Sequence, residues 1–409
     1  MSNKPFDAST LFRSGLPAPA PDWQGLPRYT FNSGHNDPDL IPLEELAQAA
    51  QRVIIREGKS LAVYNQAHGP QGYPGLRQFV SDKLKTRGIS ADIGDILITS
   101  GSGQAIDLVN NLLLEPGDTV LVEEFSYIGA LRKLRAKNIN LVGIPLDEQG
   151  IRTDKLEEIL DSLAARHITP KYIYTIPTVQ NPTGAILGLE RRQQLVALAK
   201  KYRTLILEDE CYADIIWSGE APPALFSLQP EQVIHISSFS KSLAPSVRVA
   251  YLTAVPAILR QIIALKTDGG TGALDQMIVA EYFSEHFTGH IAALTLTLQH
   301  KLDVLVDVLK KELGDIATLW LPQGGIFLWL KLPENVDTRE LVAPAEQLGI
   351  AFNPGSDWAA DAEGAKNWLR LCFALPSEQE LKDGVKQLSA LIRQHHGITQ
   401  TVKTQQEPA

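Results

Sequence analysis

A lysine between serines, followed seven residues later by an arginine, stands in the segment SSFSKSLAPSVRVAY. The lysine is Lys241, the nearby serines are Ser238 and Ser240, and the arginine is Arg248. A lysine with a lowered pKa can form a Schiff base with a carbonyl group and later move protons. Serine hydroxyls and an arginine fork suit a phosphate. The segment therefore suits a lysine-linked cofactor with a phosphate, although an isolated lysine in a serine-rich loop is more often a solvated surface residue.

Three carboxylates follow an apolar run in the segment TLILEDECYADI. They belong to Glu208, Asp209 and Glu210. A carboxylate that meets a pyridine nitrogen favours the protonated ring, which then withdraws electrons more strongly. The alternative is that these acids lie at a helix start, where negative charge is favourable, and this suits Glu208 and Glu210 as well as Asp209. Tyr212 adds a phenol that either binds a ligand or packs in the core.

Two further turns carry polar groups after predicted strands. The segment ITSGSGQAIDLVNNLLLEPG predicts a strand, a small-residue turn at 100–103 and a helix. Free N–H groups at a helix start favour an anion, and Ser102 adds a hydroxyl, although a serine there can equally be an ordinary N-cap. The segment YTIPTVQNPTG offers the side-chain amide of Asn181, for which the alternative is a turn asparagine.

The elements around these turns predict how they meet. Between residues 73 and 285 short apolar runs alternate with amphipathic stretches, which favours a mostly parallel sheet covered by helices on both faces. Open sheets of this kind bind ligands at the carboxyl ends of their strands, so we expect the four segments to share one site. The predicted strands are TVLVEE, INLVGIP, YIYTIP, TLILEDE and VIHISS, and the predicted helices between them are LEEILDSLAARH and LERRQQLVALAKKY.

The sequence outside this alternating region predicts an N-terminal arm, a second domain and a C-terminal tail. The segment PLEELAQAAQRVIIREG predicts a helix that ends at Gly58. A long helical region from about Asp275 to Leu313 precedes a smaller α/β domain with the strands GGIFLWLKL and LRLCFAL. The predicted divisions are an irregular arm at 1–42, a large ligand-binding domain at 43–285, a small C-terminal domain at 286–397 and a disordered tail at 398–409.

Composition restricts the classes of function. The 409 residues carry a formal net charge of −9 without a basic tract, which disfavours general binding to nucleic acid or to anionic membranes. Two cysteines, Cys211 and Cys372, cannot form a disulfide framework, and no Cys/His cluster indicates a metal. We find neither a signal peptide nor a run of about eighteen apolar residues. The expectation is a cytoplasmic protein that binds small molecules, without metal, nucleic acid or membrane.

The order and spacing of the motifs resemble the class I/II aminotransferases, which are fold type I enzymes that depend on pyridoxal 5′-phosphate (PLP). The similarity is strongest to the aminoadipate-type and MocR-type branch and covers nearly the whole chain. It implies an α/β fold in which a large domain has a mostly parallel, seven-stranded sheet between helices and a smaller α/β domain follows. The matching motifs are YNQAHGPQGYPGLR, TSGSGQA, VEEFSY, IPTVQNPTG, EDECY, SFSKSLAPSVR, PQGGIFLWL and LRLCFA.

The resemblance implies a PLP site in which Lys241 carries the cofactor as a Schiff base. Asp209 would pair with the ring nitrogen, and Tyr127 would stack on the ring. Asn181 and Tyr212 would bond the phenolic oxygen of the ring. The implied phosphate contacts are Ser102, Gly103, Gln104, Ser238, Ser240 and Arg248, together with Tyr64 of the partner subunit in a homodimer.

The resemblance also implies the reaction, which moves an α-amino group from an amino acid to a 2-oxo acid. Arg370 would hold the substrate α-carboxylate, and Gly34 and Asn181 would line the same space. The amine of Lys241 would take the α-proton. The implied catalytic residues are Lys241, Asp209 and Tyr127.

Departures from the family pattern keep other reactions open. Gly34-His35-Asn36 stands where the family usually has Gly-x-Pro, so His35 and Asn36 either contact an unusual substrate or make loop hydrogen bonds. Arg13 in the arm is a further candidate for an acidic substrate group. The alternative function is another PLP reaction on an amino acid, such as elimination, replacement, cyclisation or oxidative deamination. A PLP-sensing regulator is disfavoured because we find no helix-turn-helix motif and no basic surface run.

Overall fold

The computed structural model describes residues 6–12 and 15–395 and has a mixed seven-stranded sheet at its centre. A four-stranded antiparallel sheet and two short two-stranded pairs accompany it. The strands are β1 (Tyr29–Thr30), β2 (Ile96–Thr99), β3 (Thr119–Glu123), β4 (Asn140–Ile144), β5 (Leu146–Asp147), β6 (Gly150–Ile151), β7 (Tyr172–Thr175), β8 (Leu205–Asp209), β9 (Val233–Ser238), β10 (Ala250–Thr253), β11 (Thr318–Trp320), β12 (Phe327–Lys331), β13 (Ile350–Ala351), β14 (Asn353–Pro354) and β15 (Trp368–Cys372).

The large sheet is parallel except for β10, which runs antiparallel to both of its neighbours. All five predicted strands belong to it, which confirms the α/β prediction, whereas β10 is not among the predicted strands. Its first two residues, Ala250 and Tyr251, are the last two of the Lys241 segment, so the strand does not stand out as a separate apolar run. The spatial order of the strands is β2, β10, β9, β8, β7, β3, β4.

Helices cover both faces of this sheet because its side chains point alternately to two buried clusters. In β2, Leu97 belongs to one cluster, whereas Ile96 and Ile98 belong to the other. The helices are α1 (Leu43–Glu57), α2 (Pro74–Lys85), α3 (Ser102–Leu113), α4 (Ile128–Ala136), α5 (Thr153–Ala165), α6 (Leu189–Tyr202), α7 (Leu225–Leu228), α8 (Pro256–Leu265), α9 (Ala273–Leu313), α10 (Val342–Gln347) and α11 (Glu378–His395).

The long helix α9 leads from the large sheet to the small one. Its 41 residues span about 60 Å, and it packs against α1 and α2 near its start and against α11 near its end. The predicted boundary at residue 285 falls inside this continuous helix, and the division into a large and a small domain stays a proposal. The small sheet has the order β11, β12, β15, β14 and contains both predicted C-terminal strands.

The N-terminal segment forms a short two-stranded pair with β13 instead of being wholly irregular. Tyr29 and Thr30 pair in parallel with Ile350 and Ala351. A pair of two residues is too short to produce an alternating sequence pattern, which is why the sequence predicts only an irregular arm. The residues that follow this pair contact Arg370 and the segment that carries Lys241.

Several expectations concern other features of the chain. Within the described ranges, no helix combines the length and the apolar character needed to cross a bilayer. The same residues include no cluster of three or more His, Cys, Asp or Glu side chains that could hold a metal ion. Arg13 and the tail at 398–409 lie outside the described residues.

Candidate active site

A cavity of about 420 Å³ lies at the carboxyl ends of the parallel strands, between the large sheet and the small one. Because parallel strands end at the same edge of a sheet, side chains that are far apart in sequence meet there. All predicted cofactor and substrate residues except Gln104 and Tyr64 line this cavity. They are Gly34, Ser102, Gly103, Tyr127, Asn181, Asp209, Tyr212, Ser238, Ser240, Lys241, Arg248 and Arg370.

Lys241 lies in the wall of the cavity, in the connection between β9 and β10. Its Nζ donates a hydrogen bond of 2.6 Å to the carbonyl oxygen of Gly34. Burial lowers the pKa of Lys241, and the positive charges of Arg370 and Arg248 lower it further. A Cβ atom at position 34 would lie 2.7 Å from Nζ, so a larger residue there would require the end of the lysine side chain to shift. The environment favours the neutral amine, which is the form that attacks a carbonyl carbon.

Asp209 is the last residue of β8, and its carboxylate is buried in the cavity. The hydroxyl of Tyr174 donates to Oδ2 at 2.8 Å, and the backbone N–H of Cys211 donates to Oδ1 at 3.2 Å. Burial raises the pKa of Asp209, while these two donors oppose the rise. A positively charged ring nitrogen is the natural partner for a carboxylate held in this way.

Glu208 and Glu210 lie behind the sheet because successive side chains of a strand point to opposite faces. The carboxylate of Glu208 lies 2.8 Å from Nδ1 of His235. Glu210 accepts from the hydroxyl of Thr178 at 2.7 Å and pairs with Arg87 at 3.2 Å. Strand alternation thus brings only Asp209 into the cavity.

The start of α3 and the β9–β10 connection form one end of the cavity. Gly101 precedes α3 with a φ of +83° and provides no side-chain cap, while Ser102 and Gly103 line the cavity. An Nη2 donor of Arg248 bonds the carbonyl of Ser100 at 3.2 Å, and a Cβ atom on Gly101 would lie 2.0 Å from that nitrogen. Uncapped N–H groups and a guanidinium favour a phosphate here.

Serine hydroxyls complete this end of the cavity. The hydroxyl of Ser238 donates to that of Ser240 at 2.9 Å, and the backbone N–H of Ser240 donates back to Ser238 Oγ at 3.1 Å. Both residues line the cavity beside Arg248. A phosphate would therefore meet two hydroxyls and one guanidinium at this position.

Gln104 and Tyr64 lie outside the cavity. The side chain of Gln104 accepts from the N–H of Ser100 at 2.8 Å and donates to Asp268 at 2.5 Å. Gln104 follows Gly103 by one residue, and the rotation of about 100° per helical residue turns its side chain away. Tyr64 is 86% exposed and lines a separate surface cavity with Thr271.

Arg370 is held between two aromatic rings. Its guanidinium carbon lies 3.7 Å from the ring centroid of Phe327 and 3.6 Å from that of Trp358. Nη1 donates to Asn181 Oδ1 at 3.1 Å, and Nη2 donates to the carbonyl of Asn32 at 3.2 Å. Burial lowers the pKa of Arg370 to about 10, so the side chain remains cationic at neutral pH. Its buried Nε has no hydrogen-bond partner among the described residues, and Nη1 uses only one of its two N–H groups, so the guanidinium keeps unpaired donors.

The remaining predicted ring contacts lie between Asp209 and Arg370. The amide of Asn181 donates to the Tyr212 hydroxyl at 3.1 Å. Tyr127 directly precedes α4, and its ring centroid lies 6.3 Å from that of Trp358. Burial raises the pKa of both phenols, so both hydroxyls stay protonated and can donate.

The departure from Gly-x-Pro has a structural role. The side-chain amide of Asn36 donates to the carbonyl oxygens of Lys241 at 3.3 Å and Leu243 at 2.9 Å. Asn36 therefore secures the backbone that carries Lys241, which favours the interpretation of loop hydrogen bonds. His35 does not line the cavity.

Sequence reasoning missed part of the lining. Trp358 and Phe327 hold Arg370, and their positions depend on contacts between distant segments that no local pattern indicates. Arg132 lies on the same face of α4 as Ile128, four residues earlier, but neither residue carries a local signal for the cavity. The missed lining residues are Asn32, Ile128, Arg132, Ile176, Cys211, Pro245, Phe327, Asn353, Asp357 and Trp358.

A family model described as aminotransferase class I and II matches residues 29–388. The chain belongs to this aminotransferase family. The matched range contains every residue that lines the cavity. PLP is the cofactor of this aminotransferase, and an amino acid and an oxo acid are its substrates.

Individual relatives of the aminotransferase match over most of their length. A 2-aminoadipate transaminase of Thermus thermophilus is 32% identical, over 89% of this chain and 90% of that protein. An uncharacterized HTH-type transcriptional regulator of Bacillus subtilis is 30% identical over 89% of this chain and 76% of its own. A kynurenine aminotransferase of Pyrococcus horikoshii, crystallised with PMP, is 30% identical with a TM-score of 0.85, and the match covers 90% of this chain and 91% of that one.

The cavity of this aminotransferase fits PLP in each chemical respect. It has donors for a phosphate at one end, a partly free guanidinium for a carboxylate at the other, and a buried carboxylate beside an amine of lowered pKa between them. Gly34 and Gly101 leave space where a Cβ atom would collide with Lys241 or Arg248. The residues present therefore match the groups of the cofactor.

Glu123 is a second buried carboxyl group near the cavity, at the end of β3. It accepts from the hydroxyl of Thr175 at 2.6 Å, from the N–H of Ile176 at 3.2 Å and from the amide of Gln180 at 2.8 Å. Burial raises the pKa of Glu123 to about 7, against the effect of these donors. The native protein thus binds a proton here that the unfolded chain has already lost between about pH 5 and 7.

Wild-type protein is expected to lose stability relative to Glu123→Gln as the pH rises from 5 to 8. Ionisation of Glu123 is easier in the unfolded chain, so the native state loses up to about 3 kcal/mol across this range, whereas glutamine does not titrate. Thermal unfolding of both PLP-loaded proteins at several pH values measures the difference. The exposed Glu148→Gln variant is the control, and parallel Tm curves for wild type and Glu123→Gln would contradict the prediction.

Proposed function

We propose that this aminotransferase uses Lys241 to carry PLP and Arg370 to hold the α-carboxylate of an amino acid and then of a 2-oxo acid. The observation that supports this most strongly is the pairing within one cavity of an amine of lowered pKa with a guanidinium that keeps a free donor. Transamination needs one site for both substrates, and both carry a carboxylate next to the reacting carbon. A single guanidinium can therefore serve both.

Bound PLP supplies an electron-withdrawing ring and a carbonyl carbon that can hold the amino group between the two substrates. Asp209 would keep the ring nitrogen protonated, helped by the hydroxyl of Tyr174. Tyr127 would cover the ring, and Asn181 and Tyr212 would bond its phenolic oxygen. The proposed phosphate contacts are Ser102, Gly103, Ser238, Ser240 and Arg248.

Different residues of the cavity would orient the substrate and move its proton. Arg370 would orient the α-carboxylate, because its aromatic neighbours Phe327 and Trp358 restrict the guanidinium plane. The Nζ of Lys241 would take the proton from the substrate Cα and return it later in the exchange, since its lowered pKa favours the neutral base. Burial of the site excludes water, which strengthens the interactions between charges.

The experiment that tests this function is an anaerobic titration of the PLP-loaded protein with a panel of L-amino acids. Amino transfer is expected to convert the visible absorption band to that of the amino form of the cofactor. A 2-oxo acid should then restore the band and yield a new amino acid. A band that returns unaided while another product is released would instead support elimination, replacement or cyclisation, and no response to any amino acid would contradict the proposal.

We also propose that the active unit is a homodimer. Apolar side chains of α1 and of the segment after it are exposed, including Leu43 at 70% and Ile55 at 78%, and a patch of this kind is typically covered by a partner. Tyr64 lies beside this patch, in the surface cavity that Thr271 also lines. Thr271 bonds Ser100 at 3.3 Å, so that cavity adjoins the phosphate end of the site. In a dimer, Tyr64 of the partner subunit would reach the phosphate.

Ile55→Asp is expected to shift the protein towards the monomer, because it would bury a charge in the interface. Tyr64→Phe is expected to weaken PLP binding about fivefold to tenfold without dissociating the dimer, because it removes one hydrogen bond to the phosphate. Sedimentation velocity and PLP titration measure the two effects. A wild-type monomer with full activity would contradict the homodimer.

A further inference from the structure

Two charged side chains of the cavity have no role in the proposed chemistry. Lys241, Asp209, Arg248 and Arg370 account for the cofactor and the α-carboxylate. Arg132 and Asp357 also line the cavity; both are exposed, and the side chain of neither forms a hydrogen bond or an ion pair with any residue in the described part of the chain. Both charges are therefore available to a ligand.

Arg132 and Asp357 lie on the side of the cavity formed by Tyr127 and Trp358. Arg132 follows Ile128 by one helical turn, and both residues line the cavity from α4. Asp357 belongs to the 3-10 turn Gly355–Trp358. The two charges thus occur on the two segments whose aromatic residues border the substrate end of the site.

These two segments are fixed to each other by hydrogen bonds. The N–H of Ser126 donates to the carbonyl of Trp358 at 2.7 Å, and the N–H of Ala360 donates to that of Glu124 at 2.8 Å. Arg135, on α4, donates to the carbonyl of Ala359 at 2.8 Å. Even so, Arg132 and Asp357 do not pair with each other, so each exposed charge is left to solvent or to a ligand.

We propose that Arg132 binds the side-chain carboxylate of acidic substrates, and that Asp357 opposes it and limits this preference. The proposal rests on the function proposed above. When Arg370 holds the α-carboxylate, the side-chain carboxylate is the remaining negative charge of an acidic amino acid. Arg132 is then the cation of the cavity lining that is still without a partner. A guanidinium fork matches a carboxylate in shape as well as in charge.

Glutamate and glutamine test the proposal because they differ in side-chain charge at nearly equal size. Arg132→Gln is expected to lower kcat/KM for glutamate roughly 10- to 100-fold and to change kcat/KM for glutamine less than about threefold. Asp357→Asn should raise the ratio of the two values, because it removes the opposing charge. Lys137→Gln is the matched control, since it removes a positive charge at the end of α4 outside the cavity.

Calorimetric titration of the PLP-loaded enzyme with glutarate, which lacks an amino group and does not react, measures the same contact without turnover. Arg132→Gln should weaken glutarate binding, and Arg132→Lys should restore part of it. The subsite would be overturned if Arg132→Gln lowered kcat/KM equally for glutamate and glutamine or left the selectivity unchanged. A wild type that prefers glutamine would overturn it as well. These outcomes leave the aminotransferase proposal standing, which fails only if the wild type transfers no amino group at all.

Discussion

Lys241→Arg is expected to lower the rate of amino transfer roughly 10,000-fold, because it removes both the nucleophile that carries PLP and the base that moves the α-proton. Arginine retains the positive charge but remains protonated, so it can neither attack the carbonyl carbon nor accept a proton. The phosphate contacts at Ser238, Ser240 and Arg248 are untouched, so PLP should still bind without a covalent link. Single-turnover kinetics with a good amino acid donor and the visible spectrum of the variant measure both effects.

The control for this change is Lys137→Arg, which makes the same substitution outside the cavity and should leave the rate unchanged. Reduction of the loaded wild type with borohydride, followed by peptide mapping, locates the attached cofactor independently of activity. Cofactor on another lysine, or a Lys241→Arg variant with more than a few per cent of the wild-type rate, would refute the assignment of Lys241.

Asp209→Asn is expected to lower kcat roughly 100- to 1,000-fold while leaving the fold intact, because an amide does not hold a positive charge on the ring nitrogen. The amide is nearly isosteric with the carboxylate, and its oxygen can still accept from Tyr174. The carboxylate is buried, so water cannot replace its charge. Steady-state kinetics and thermal unfolding of the PLP-loaded variant separate the loss of activity from a loss of stability.

The neighbours of Asp209 provide matched controls. Glu210→Gln weakens the buried ion pair with Arg87 and should lower Tm by several degrees, with a much smaller effect on kcat. Glu208→Gln disturbs the contact with His235 in the same way. If all three variants lost activity to a similar extent, strand alternation would not explain the assignment of Asp209.

The sequence predicts much of the large sheet and of the cavity because both depend on local patterns. The apolar runs that end at Thr175 and Asp209 are visible in the sequence, and parallel strands must place their ends together. Which of three adjacent acids enters the cavity is harder to predict, because this depends on the register of β8 against its neighbours. The family resemblance indicated Asp209, and the structure supplies the physical reason.

The features that the sequence does not predict depend on contacts between distant segments. Trp358 is one of several tryptophans in the chain, and its position against Arg370 follows from the packing of a 3-10 turn on α4. Gln104 directly follows the lining residues Ser102 and Gly103, yet the helical rotation turns its side chain away from the cavity. Residues 29 and 30 pair with a strand more than 300 residues away, at 350 and 351, which no local pattern indicates.

The short segment at residues 32–34 has a consequence for how this family can diverge. The main-chain carbonyls of Asn32 and Ser33 accept hydrogen bonds from Arg370. The carbonyl of Gly34 accepts one from Lys241. Every amino acid has a carbonyl, so substitutions at 32 and 33 can leave these contacts in place, whereas a Cβ atom at position 34 would require Lys241 Nζ to shift. Variation next to the reacting groups is therefore nearly neutral for the cofactor chemistry. A lineage can therefore change the side chains at 32 and 33, of which Asn32 lines the cavity, and explore new substrates while these main-chain contacts stay in place.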